Sequence, residues 1–205
     1  MIRNVITATA FVAALVLPAQ AANVIDDWAA IKRPPPPALK PVTIEPTTTA
    51  LLMLDFMNQN CGKRPTCVAS VPGVRKLLEA ARGAKMAVVY TFIAKTTGAD
   101  VIKDVAPEPG EPNVTSGPDK FLNTDLEQIL KGKGITTVIA VGTAANGAVL
   151  YTASGAALRG MNVIVPVDGM SSTDAYADLA TAFTLANAPL VSSKVTLTKL
   201  DMVKF

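Results

Sequence analysis

Between Thr49 and Leu197, short apolar runs alternate with stretches of helical periodicity, and this alternation limits the fold more than any other feature of the sequence. Thr49 to Phe56 is apolar almost throughout and includes Asp55 near its end. A strand that is apolar on successive residues is one covered on both faces, as in a parallel sheet. Met86 to Ile93, Ile135 to Val141 and Met161 to Val167 repeat the pattern, and Lys194 to Leu197 makes a short last strand. Between them, Pro72 to Arg82 places Val74, Leu77, Leu78 and Ala81 at helical spacing and stops at Gly83. Thr124-Asp-Leu-Glu127 has the form of a capping box, for a helix ending at Gly132 or Gly134. Gly142 to Ala145 reads as a tight loop feeding a helix to Arg159. Ser171 or Ser172 caps a helix to about Ala186, with Tyr176, Leu179 and Phe183 as its core stripe. Residues 94–119 form a long Pro- and Gly-rich loop, a kind that usually carries function. The alternation predicts a mostly parallel sheet with helices on both faces, a three-layer α/β/α domain. Such sheets bind ligands at the carboxyl ends of their strands, near the point where strand order reverses. Asp55, the Gly142 loop and Asp168 are therefore candidates for one site.

The two ends divide the chain further. Arg3, the apolar stretch Val5 to Leu17 and the small-x-small triplet Ala19-Gln20-Ala21 read as a signal peptide over residues 1–21. The apolar stretch falls short of the roughly 20 residues needed to span a bilayer as a helix; an uncleaved anchor is the alternative. Residues 22–46 read as an extended arm around the run Pro34 to Pro37, and 47–205 as the folded domain. The expected location is periplasmic or secreted, with no membrane attachment after cleavage. A net charge of only +3 gives no reason to invoke nucleic acid or an anionic membrane surface.

The chain has no histidine. Ser-His and Cys-His catalytic pairs and histidine metal sites are thereby removed. Proton transfer is left to Asp, Glu, Lys, Tyr, Cys or water. The two cysteines, Cys61 and Cys67, flank a short loop with Gly62 and Pro65. In an oxidising compartment they are most simply a local disulfide. The alternatives are a reactive thiol close to Asp55 or half of a metal site.

Four segments in register resemble the isochorismatase-like cysteine hydrolases. They are Ala50-Leu-Leu-Met-Leu-Asp55-Phe-Met-Asn58, Phe121-Leu-Asn-Thr124-Asp-Leu126, Thr137 through Gly142-Thr-Ala-Ala-Asn146-Gly-Ala148 to Ala153, and Gly160 to Asp168. The resemblance implies an isochorismatase-like, Rossmann-like α/β fold and a small-molecule hydrolase. It also implies an Asp, Lys and Cys triad, of which Asp55 matches the Asp. The nucleophile position is Ala148, whose methyl group excludes thiol catalysis there. The lysine position aligns with Thr115, and Lys120 is the nearby lysine that a shifted loop can bring to Asp55. The family's cis peptide corresponds to Thr143-Ala144, aiming the N–H groups of Ala144 and Ala148 at a substrate oxygen. Asn58, Thr143 and Asn146 are expected to contact substrate. No metal and no cofactor is expected, and a homo-oligomer is suggested. Two readings stand: a hydrolase using Asp55 as general acid or base with direct attack by water, as in the isochorismatases, which also lack the cysteine; or an inactive relative that binds a small molecule or a protein.

Overall fold

A computed structural model describes residues 23–205, so the expected signal peptide lies outside the described residues. In the described part of the N-terminal unit, residues 23–35, turns run over 24–30, with Asp27 N–H donating to Asn23 O at 3.1 Å and Ala30 N–H to Asp27 O at 2.8 Å. The second unit spans Pro36–Phe205.

The strands of this second unit are β1 (Val42–Thr43), β2 (Thr49–Leu54), β3 (Ala87–Phe92), β4 (Asn113–Thr115), β5 (Thr137–Thr143), β6 (Asn162–Pro166), β7 (Met170–Ser171), β8 (Val195–Thr198) and β9 (Val203–Lys204). The helices are α1 (Pro65–Gly83), α2 (Leu126–Gly132), α3 (Leu150–Leu158) and α4 (Ala175–Asn187). The main sheet runs β4-β3-β2-β5-β6-β8, with β7 beside the end of β5, and every pairing is parallel. The chain moves outward from β2 through β3 to β4, then returns to the other side of β2 with β5. Strand order therefore reverses between β2 and β5.

Every residue of β2 is buried, and alternate ones serve different cores. Ala50, Leu52 and Leu54 pack with residues of α2, α3 and α4 on one face. Leu51 and Met53 pack with Val71, Val74 and Leu78 of α1 on the other. That two-sided burial is why the run carries no polar alternation. The α/β/α layering expected from the sequence is the fold observed.

Several local expectations are corrected. Helix α1 begins at Pro65 and carries Pro72 inside it. Its buried row, Cys67, Val71, Val74 and Leu78, compensates for the N–H that Pro72 lacks. The capping box does not form as expected. Asp125 stands at the N-cap of α2, and Glu127 pairs with Lys131 and Arg159 instead. Asp174, not Ser171 or Ser172, caps α4 by accepting from Ala177 N–H at 3.0 Å. The face α4 buries is Ala177, Thr181 and Leu185, while Tyr176, Leu179 and Phe183 are exposed. The long loop contains β4, and residues 36–46 are not a separate arm. There, Lys40 N–H donates to Leu197 O at 2.9 Å and β1 pairs with β9.

Candidate active site

Register brings the carboxyl ends of three strands together. Leu54 lies opposite Thr91 of β3 and opposite Gly142 of β5. The residue after Leu54 is Asp55. A Cβ on Gly142 would stand 2.0 Å from the Leu54 carbonyl oxygen, and Gly142 has φ +136°. Only glycine allows β5 to approach β2 this closely at the reversal point. Asp55 itself has φ 58°, a left-handed conformation that Asp tolerates better than most residues.

Asp55 is 4% exposed and Lys120 is fully buried. Lys120 Nζ donates to Asp55 Oδ2 at 2.8 Å, and Thr91 Oγ1 donates to Oδ1 at 2.8 Å. Lys120 comes from the segment before Phe121, where its own N–H reaches Thr152 Oγ1 of α3 at 3.3 Å. Thr124 Oγ1 donates to the Lys120 carbonyl at 2.5 Å. Thr115, which aligns with the lysine position of the resembled family, is exposed on β4. Burial pushes the Asp55 carboxyl above the ordinary carboxylate range, against the pull of Lys120, Thr91 and, more distantly, Arg64. A buried carboxyl held in this way keeps its proton more readily than one in water does.

A second layer forms around Asn60. Its Nδ2 donates to the backbone oxygens of Asp55 at 3.3 Å and of Thr143 at 3.5 Å. Arg64 Nη1 in turn donates to Asn60 O at 3.1 Å and to Asn60 Oδ1. A disulfide between Cys61 and Cys67, whose residues are fully buried, closes the loop that contains Arg64 and starts just after Asn60. Neither cysteine is a free thiol.

The peptide Thr143-Ala144 is cis, and Ala145–Val149 forms a π-helical turn leading into α3. Ala144 is half-buried and Ala148 is 4% exposed. Thr143 Oγ1 donates to Ser171 O at 3.0 Å, and Asn146 Oδ1 accepts from Ser172 Oγ at 3.1 Å. Two candidates lie apart from this group. The Asn58 side chain donates to Asp100 O at 2.9 Å and so clamps the 98–101 turn. Asp168 is exposed and accepts from Leu200 N–H at 2.8 Å. Thr91, Asn60 and Arg64 were not foreseen. Thr91 could have been found as the polar residue near the end of an apolar strand, and Arg64 as the cation inside the cysteine loop.

The donors to the Asp55 carboxyl are an ammonium and a hydroxyl, a set that suits a carboxyl group and does not fit a divalent metal. Among the described residues, no group of three or more Cys, Asp or Glu side chains is placed to hold a metal ion.

Residues 49–195 match the sequence model of the isochorismatase domain. A secreted isochorismatase effector of Verticillium dahliae is 32% identical over 117 residues, which are 52% of this chain and 62% of that protein. The chain thus matches less than two thirds of that relative's length. Among solved structures, an isochorismatase-like hydrolase from Alkaliphilus metalliredigens aligns with TM-score 0.68 at 24% identity, covering 75% of this chain and 96% of the other. An N-carbamoylsarcosine amidase from Thermoplasma acidophilum aligns with TM-score 0.66 at 23% identity, covering 75% and 97%. These two likenesses concern the fold.

Proposed function

The chain belongs to the isochorismatase family, and from that premise we propose that it is an exported hydrolase that acts on a small molecule without a covalent cysteine nucleophile. The observation that carries this reading is the buried contact of Lys120 Nζ with Asp55 Oδ2, 2.8 Å long, where strand order reverses. Asp55 in its protonated form gives its proton to the substrate as the scissile bond is polarised. The carboxylate that remains is met by the Lys120 ammonium, while Thr91 holds the other oxygen in place. Water adds to the electron-poor carbon and returns a proton to Asp55, so that one substrate and one water become two products. Ala148 leaves room where a thiol would attack. Export is supported by the N-terminal pattern and by the secreted character of the Verticillium relative. Among the described residues, no helix is long and apolar enough to cross a membrane.

The test is turnover of a panel of vinyl ethers and amides by the purified protein. A substrate should be found, and Asp55→Asn should lower kcat roughly a hundred- to ten-thousandfold, the usual worth of a positioned acid or base. Turnover that survives Asp55→Asn overturns the reading. A second reading, binding without turnover, is favoured by the methyl group of Ala148. It requires a compound that raises Tm yet is never hydrolysed.

A further inference from the structure

Lys120 reaches Asp55 from a stretch of bends and turns, residues 116–121, that belongs to no helix or strand. A buried ammonium on irregular backbone needs something outside that backbone to fix where it ends. The neighbouring helix supplies it. Thr152, Gly155 and Arg159, at i, i+3 and i+7, share one face of α3 and its C-cap, and each meets the lysine segment differently. A Cβ on Gly155 would stand 3.2 Å from Phe121 Cδ2 and 3.3 Å from Asp119 Oδ1, so the missing side chain is what lets the segment lie this close. The Arg159 guanidinium covers Phe121 at 4.4 Å from the ring centre, and it is itself tied to Glu127 at 2.9 Å and to Gly155 O at 3.0 Å.

Thr152 makes the most direct contact. It is fully buried, and its hydroxyl accepts from Lys120 N–H at 3.3 Å and donates to Pro118 O at 3.4 Å. A threonine inside a helix ordinarily turns its hydroxyl back to a carbonyl of the preceding turn, as Thr181 does with Ala177 O at 2.9 Å. Thr152 directs its hydroxyl to another segment instead, and uses both its donor and an acceptor there. Thr124 Oγ1 holds the Lys120 carbonyl from the other side at 2.5 Å. Both backbone polar groups of the lysine are thereby fixed, and Nζ reaches Asp55 Oδ2 at 2.8 Å and Ser116 O at 3.4 Å.

We propose that Thr152 is a positioning residue of the Asp55 site, whose hydroxyl fixes the backbone of Lys120 and so sets the reach of the ammonium to the carboxyl. Ala148 lies one turn earlier in the same run of helix, so a single element sets both the lysine and the turn that follows β5. The inference rests on Asp55 being the reacting carboxyl, and it adds how the cation beside it is held. Arg64, the other charge that acts on Asp55, is anchored to Asn60 instead.

The test is the titration of the Asp55 carboxyl, followed by carbon NMR in protein labelled at aspartate and assigned by the signal lost in Asp55→Asn. It needs no substrate. Thr152→Val keeps the volume of the side chain and removes the hydroxyl; Thr152→Ser keeps the hydroxyl and loses the methyl group. Lys120 holds the Asp55 pKa down, so an ammonium that slips away leaves the proton more tightly bound. Thr152→Val should raise proton affinity at Asp55 about tenfold, one pH unit in the midpoint, and Thr152→Ser should return it close to the native value. An unmoved midpoint in Thr152→Val overturns the proposal. So does a shift in Thr152→Ser as large as that in Thr152→Val, since packing alone would then be at work. If Thr152→Val does not fold, hydrogen exchange of the Lys120 N–H in the native protein decides: protection supports the proposal, and exchange at the rate of an exposed amide overturns it. With a substrate in hand, Thr152→Val should lower kcat at little change in KM and move the alkaline limb of kcat to higher pH, and Thr152→Ser should rescue both. A shifted midpoint in a protein for which no substrate is ever found leaves Thr152 in its role and the hydrolase reading fallen.

Discussion

Lys120 is the cation bonded directly to the Asp55 carboxyl, and Arg64 acts on it only at a distance. Lys120 is fully buried and bonded to Oδ2, so its removal leaves a carboxylate with Thr91 as its remaining close donor. Breaking one side of a buried ion pair costs about 3–5 kcal/mol. Burial already sets the Asp55 pKa above its ordinary value, and Lys120 is the largest influence holding it down. In Lys120→Met the folded-state pKa rises further, so the folded protein binds the proton more tightly than the unfolded chain. Stability is then present below the unfolded pKa and lost as pH rises through the folded one. Urea midpoints should show Lys120→Met much weaker than the native protein at mildly alkaline pH and closer to it at mildly acidic pH; a gap that does not change with pH would refute the assignment. The pairing also shows what a sequence can and cannot reveal at this scale. Asp55 was legible because it ends an apolar run. The position of the Lys120 ammonium was not, since it depends on how the segment from Ser116 to Phe121 folds back onto α3.

At the scale of elements, legibility follows burial. Strands β2 and β5 are covered on both faces, and their unbroken apolar runs gave their bounds to within about two residues. Strands β1, β4, β7 and β9 have two or three residues each and carry no periodicity of their own. Helix α4 misled for a different reason. Its large apolar residues Tyr176, Leu179 and Phe183 form a row at helical spacing, which the sequence alone presents as the core face. The face buried against α3 and β8 is made instead of the smaller Ala177 and Thr181 with Leu185. Small residues let the helix approach closely, and a pattern read from side-chain size points to the wrong side. The two assignments differ in a measurable way. Leu185 is fully buried and Phe183 is 41% exposed. Leu185→Ala should cost about 2–5 kcal/mol, and Phe183→Ala about 1 kcal/mol or less. The reverse order, read from urea midpoints at unchanged m-value, would return the core to the outer row.

For the molecule as a whole, one covalent link joins the stability of the fold to the geometry of the site. The Cys61–Cys67 bridge closes a loop of a few residues between β2 and α1, with Asn60 just before it and Arg64 inside it. Loop-closure entropy for so short a span is worth roughly 2 kcal/mol. That is a sizeable fraction of the 5–15 kcal/mol by which a domain is usually stable. A protein that leaves a reducing compartment keeps this contribution; one that remains there loses it. The proposed export and the proposed hydrolysis are therefore linked through the same bond, since Asn60, just before it, holds the backbone oxygens of Asp55 and Thr143. In Cys61→Ala/Cys67→Ala, the urea midpoint should fall by an amount equivalent to about 2 kcal/mol, because the unfolded chain regains its freedom. Turnover of any substrate that depends on Asp55 should fall with it, because Asn60, which bonds the backbone of Asp55 and Thr143, then loses the covalent brace beside it. Such a variant separates the two roles of the link: an unchanged midpoint would show that the bridge adds nothing to the fold, and a lowered midpoint with turnover intact would show that Asn60 and Asp55 keep their places without it.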